Sequence, residues 1–153
     1  MASHLAEVAI RKRVSAASDA FYDEARNLGD AAWRGETTKS QIAALENTAN
    51  SATRIAEILD FIKRQTGRSR PDKRWRFERL GENLIEKVDG KLRQDARAIV
   101  EKVRDEIKAH ELHEDDQSRI HILLCREFFS HLSAQYLYGS GVSRAAISRE
   151  SDP

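Results

Sequence analysis

Residues 38–67, "TKSQIAALENTANSATRIAEILDFIKRQTG", decide the fold class of this chain. Ile42, Leu45, Ala49, Ala52, Ile55, Leu59 and Ile62 recur every three or four positions, the period at which side chains return to one face of an α-helix. Thr38 and Gln41 have the spacing of a capping box, in which a hydroxyl and a side-chain amide each satisfy a backbone group at the helix start. Thr66-Gly67 marks the end. The pattern predicts one amphipathic helix of about eight turns.

The flanking segments read the same way. Upstream, Leu5, Val8, Ala9, Ala16, Ala20 and Phe21 give a looser helical spacing over residues 3–28, with Gly29 as a stop and "GDAAWRGE" as a loop. Downstream of Pro71, a third helix is expected from about Asp72 to about His110, with Leu84, Val88, Leu92, Ile99, Val103 and Ile107 as its apolar stripe. Gly81 and Gly90 each weaken it by about 1 kcal/mol relative to alanine and predict a kink or a break. The last helix is expected from about Asp116 to Tyr138. There Ile120, Leu123, Leu124, Phe128, Phe129, Leu132 and Tyr136 cover most of the circumference, so it must be surrounded by its own bundle or by a partner. Gly139 is placed to end it in the left-handed conformation, leaving 139–153 as a mobile tail. No segment alternates with period two, and no internal repeat stands out. The expectation is an all-α domain over residues 1–138, a bundle of four to five helices with a long central amphipathic one.

Composition agrees. Of 153 residues, 33% are charged and 40% apolar, with only seven Gly and two Pro, a balance that favours helices over strands and loops. The single cysteine, Cys125, cannot form an intramolecular disulfide. No run approaches the roughly 18 apolar residues of a membrane span, and "MASHLAEVAIRKRV" has no apolar signal-peptide core, so a cytoplasmic protein is expected.

Enzymatic signatures are missing. No P-loop, GxGxxG or GxSxG motif occurs, and the carboxylates alternate with Lys and Arg as on solvated helices. His110 and His113, three apart in "HELHEDD", have a spacing that metal sites use, but no third ligand is evident, and a solvated turn is expected. Cys125, among Leu123, Leu124 and Phe128, reads as a core residue. His121 and His131 read as packing edges. A non-enzymatic chain is expected, with no cofactor and no metal.

The strongest functional signal is "KRQTGRSRPDKRWRFER", residues 63–79, with eight Lys or Arg against Asp72 and Glu78, a local +6 in a chain of net charge +1. Such a run is either a solvated turn or a patch. The concentration of charge and the preference for arginine, whose planar fork suits phosphate oxygens, favour a patch for a phosphate backbone. The candidates are Lys63, Arg64, Arg68, Arg70, Lys73, Arg74, Arg76 and Arg79. Trp75 and Phe77 are either base-stacking surfaces or core anchors. Arg34 and Lys39 are ordinary surface residues unless the fold brings them alongside. The acids that would neutralise the run are expected elsewhere, in "HELHEDD" and along the third helix.

Three stretches carry a family resemblance: "TTKSQIAAL" (37–45), "FIKRQTGR" (61–68) and "LLCREFFSHLSAQYLYGSG" (123–141), together about a quarter of the chain. They resemble, in turn, the Thr-Thr-Ser helix start, the Ala-Gly-Arg helix end and the Cys-Arg to aromatic-Tyr-Gly final helix of the small all-helical subunit of type III-A CRISPR effector complexes. The resemblance implies a non-catalytic subunit of an antiviral ribonucleoprotein. It would stack in several copies beside the backbone subunits and touch the phosphates of guide RNA and bound target. Gly67 and Arg68 match the family's Gly-Arg, and Arg126 matches the Arg after its Cys. The rival expectations are a helical protein–protein adaptor that docks through its last helix, by Phe128, Phe129 or Tyr136, and a stand-alone single-stranded nucleic-acid-binding protein.

Overall fold

The computed structural model describes residues 4–108 and 112–150, with the side chains of the last helix described as far as Val142. The elements are α1 (His4–Arg34), α2 (Lys39–Ser51), α3 (Ile55–Arg68), α4 (Leu80–Glu86), α5 (Leu92–Ile107) and α6 (Glu114–Glu150). A 3-10 segment, Arg74–Arg79, leads into α4, and a π-helical turn, Lys87–Lys91, joins α4 to α5. The described residues contain no strand; the fold is all-α.

Two long helices, α1 and α6, organise the bundle. They lie side by side and run in the same direction. Glu7 pairs with Arg119 at 2.6 Å, Phe21 meets Phe128 with ring centroids 5.3 Å apart, and Asp30 accepts a hydrogen bond from Gln135 at 2.9 Å. Gly29 permits the close approach, because a Cβ there would overlap the Leu132 carbonyl oxygen. The core gathers Ile10 and Phe21 of α1, Leu45 of α2, Ile62 of α3 and Leu92 of α5 around Phe128 and Phe129 of α6. Each such side chain contributes about 1.5–3 kcal/mol when fully buried. Most of the apolar circumference of the last helix is therefore covered by the chain itself: Phe128, Phe129 and Tyr136 are buried rather than available to a partner, while Leu137, Tyr138 and Val142 near its far end are exposed.

Four element boundaries differ from the sequence expectation. First, α1 runs through Gly29 to Arg34, because Ala31 and Ala32 are also buried; the glycine is a contact point and not a stop. Second, the single helix expected over residues 38–66 is two. The capping box at Thr38 and Gln41 is present, but the chain becomes extended at Ala52 and Arg54, and α3 folds back on α2 so that Gln41 meets Gln65 at 3.5 Å. The break keeps the apolar positions in phase, which is why periodicity does not reveal it. Third, the helix expected from Asp72 starts at Leu80. Beyond it Gly81 is helical, packed where a Cβ would overlap Thr66, and Gly90 lies in the π-turn. Fourth, α6 continues through Gly139 to Glu150, and no described glycine has a positive φ, so the expected helix end after Tyr138 is absent; residues 151–153 of the expected tail lie outside the described residues.

Candidate nucleic-acid interface

The basic run leaves the end of α3, where Ser69 holds it. The Ser69 hydroxyl donates to the Gln65 carbonyl at 2.8 Å and accepts from the Trp75 backbone N–H at 3.3 Å. The Arg74 N–H donates to the Gly35 carbonyl at 2.7 Å, tying the run to the α1–α2 turn. Between these points the side chain of Trp75 is 0% exposed, with its ring edge-on to Phe61 at a centroid distance of 6.0 Å. The ring is a core anchor and is not presented for base stacking. Phe77 is half-buried against Gly35 and under the Arg34 guanidinium.

This pinning forces an unusual backbone. Asp72, Arg74, Glu78 and Arg79 have φ values of 59°, 53°, 48° and 58°. Left-handed conformations cost a non-glycine residue about 1–3 kcal/mol each and persist only where the surroundings over-determine them. The buried tryptophan and the Ser69 and Gly35 hydrogen bonds supply that determination here. The cations therefore sit on a held loop.

All eight predicted cations are exposed, but the fold does not treat them alike. Arg68, Arg70, Lys73 and Arg74 line one open groove of about 840 Å³ together with Gln41, Gln65, Ser69 and Glu36. Arg64 lies one turn before Arg68 on α3, with Lys63 beside it. Arg76 turns back to donate to the Ser69 carbonyl at 3.4 Å, and Arg79 pairs with Glu82 at 2.7 Å and reaches Glu86 at 3.8 Å. Among the described residues, Lys63, Arg64, Arg68, Arg70 and Arg74 have no ion-pair partner.

The neutralising acids are closer than the sequence suggests. Glu36, on the α1–α2 turn, pairs with Lys73 at 2.7 Å; its carboxyl is held below the usual range by that hydrogen bond first, with Arg74 adding from farther off. Arg34 grips Glu78 through two hydrogen bonds of 2.6 and 2.8 Å, which lowers the carboxyl and raises the guanidinium. Arg34 is thus brought alongside, as a clamp on the loop. Sequence reasoning missed Glu36, Gln41 and Gln65 as groove residues; Gln41 had a signal only as a capping residue, and nothing placed the α1–α2 turn against residues 73–78.

The remaining chemistry-bearing side chains lie outside the lining of this groove. Cys125 is fully buried, and burial pushes its thiol up to about 12. His121 is buried on the π-turn, its Nε2 donating to the Val88 carbonyl at 2.6 Å, and desolvation holds it below its ordinary value. His131 meets the Ser18 hydroxyl at 2.7 Å. His113 stands before α6, its backbone N–H donating to Asp116 at 3.1 Å, while His110 lies outside the described residues. Among the described residues no group of three or more His, Cys, Asp or Glu is placed to hold a metal, and no carboxylate is buried. No described helix is long and apolar enough to cross a membrane.

Fold and groove together define a class: an all-α bundle that presents a pinned cationic loop. No family model matches this chain, no curated protein matches it, and no solved structure matches its fold.

Proposed function

We propose that the chain is a non-catalytic nucleic-acid-binding protein that grips a phosphate backbone through the groove at the end of α3. The observation that carries this is the set of exposed cations Lys63, Arg64, Arg68, Arg70 and Arg74, which pair with no acid among the described residues and three of which line one groove. A free guanidinium accepts a phosphate without first breaking a salt bridge, and its fork matches phosphate oxygens. Gln41 and Gln65 add neutral hydrogen-bonding groups to the same groove. Contacts of this kind position a strand without reading its sequence.

The resemblance of residues 37–45, 61–68 and 123–141 to the CRISPR small subunit supplies the setting. In that setting the polyanion is guide RNA paired with its target, and several copies of the chain line the ribonucleoprotein beside its backbone subunits. A near-neutral total charge suits copies that must sit side by side. Burial of Phe128, Phe129 and Tyr136 disfavours the adaptor that docks through the last helix.

The test is affinity for single-stranded RNA and for an RNA duplex of equal length across a salt series, with the variant R64A/R68A/R70A/R74A alongside. Binding that is steep in salt, indifferent to sequence and lost in the variant is expected. Equal binding by the variant, or none at low salt, would remove the groove as a nucleic-acid site. Tight binding by the isolated chain favours a stand-alone binder, whereas weak binding that strengthens when copies are linked favours the repeated subunit.

A further inference from the structure

A second cationic groove lies at the opposite end of the α2–α3 hairpin, where the chain breaks at Ala52–Arg54. Its volume is about 490 Å³. Four arginines line it from three separate parts of the fold: Arg54 from the break, Arg93 from α5, and Arg119 and Arg126 from α6. One carboxylate, Asp115, lines it against them. Residues so distant in sequence are not gathered by a local charge run. The fold assembles them, and the break between α2 and α3 makes the room.

The four differ in how free they are. Arg126 is half-buried; its Nε donates to the Ala49 carbonyl at 2.9 Å, and the side chain pairs with no acid among the described residues. That bond fixes the guanidinium at the groove. Arg54 is exposed and only loosely paired, 3.7 Å from Glu57. Arg93 is paired with Asp89 at 2.7 Å, and Arg119 with Glu7 at 2.6 Å, through acids that lie outside the groove lining. Arg54 is also the N-cap of α3, a helix of 14 residues, and no side chain caps its first turn. Thr53, Arg54 and Ile55 bring the start of α3 to the groove wall, so the positive end of the helix dipole adds to the arginines there. Gln117 and Ser118 supply neutral hydrogen-bonding groups.

We propose that this second groove is a phosphate-binding site, independent of the groove at the end of α3. Several guanidinium groups facing one lining carboxylate suit a doubly charged or bridging phosphate better than a carboxylate ligand, which offers fewer acceptor oxygens. The oxygens of a nucleic-acid phosphodiester and those of a free diphosphate present the same chemistry to it.

Inorganic pyrophosphate and a six-nucleotide single-stranded RNA are the two probes, each titrated into the full chain while nitrogen–proton correlation spectra are recorded. The expected result is saturable shifts of the Thr53, Arg54 and Ile55 amides and of the Arg126 Nε–H. The variant R54Q/R93Q, changed only at exposed side chains, should weaken the response by about tenfold or more, and R54K should retain most of it. R68A/R70A/R74A should leave these shifts in place, so loss of the first groove and loss of the second are distinguishable. Response to both probes assigns a general phosphate site, and response to one alone identifies the source. Silence of these amides towards both probes, or an unchanged response in R54Q/R93Q, would overturn the proposal.

Discussion

Trp75 carries the largest buried side chain of the basic run, and its truncation has two readouts. Trp75→Ala should cost about 3–5 kcal/mol in a urea melt, the range for emptying a large aromatic site in a core. RNA affinity of the still-folded fraction should fall as well, because the loop that carries Arg70 and Arg74 loses its pin. His121 offers a separate, pH-dependent test. Burial holds its folded-state value below the ordinary 6.5, so the unfolded chain takes up the proton first. Stability is then unaffected above that range and falls as pH drops through 6.5 towards the lower folded value. His121→Gln keeps a donor for the Val88 carbonyl and should flatten this part of the pH–stability curve. A persistent slope in that variant would show that another group is responsible. The depressed carboxyls of Glu36 and Glu78 act in the same direction, but only below about their ordinary 4.5.

Among the elements, what the sequence discloses depends on whether a feature is local. The Thr38–Gln41 capping box, the stripe of α5 and the near-complete apolar girth of α6 are written in neighbouring residues, and each is found in the structure. The break at Ala52–Arg54 is not legible, since Ala52, Ile55 and Leu59 keep helical phase across it. Gly29 misleads for a related reason: a glycine that ends a helix and one that admits a neighbouring helix look alike in one dimension. The pair Gly29 and Gly67 separates those roles experimentally. Gly29→Ala places a methyl against the Leu132 carbonyl and should destabilise by about 1–3 kcal/mol in thermal or urea unfolding. Gly67→Ala, where a Cβ meets nothing within 4 Å, should be neutral or stabilise by about 0.5–1 kcal/mol. The cations of the first groove were legible as a charge run. Their division into paired and free was not, because Glu36 and Arg34 reach them only through tertiary contact. The arginines of the second groove, spread from Arg54 to Arg126, left no run to notice.

For the whole molecule, free and paired cations should separate in a salt series. Each free arginine removed from the first groove should lower the magnitude of the log–log salt slope by about 0.7 if it meets one phosphate of a single strand. Lys73→Ala, which releases Glu36 into the groove, should weaken binding by more than the loss of one cation. If removing Arg79, already held by Glu82 and Glu86, weakened binding as much as removing Arg70, the division would be wrong.

The parallel packing of α1 on α6 also fixes an order of events during synthesis. Phe21 emerges from the ribosome more than 100 residues before Phe128, the ring it meets. Until then the side of α1 that α6 covers stays open, although Glu106 of α5 can already reach Arg13, and Lys87 can already reach Glu24. Closure of the core therefore waits for the last helix, and apolar surface that α6 covers stays exposed through most of the chain's elongation.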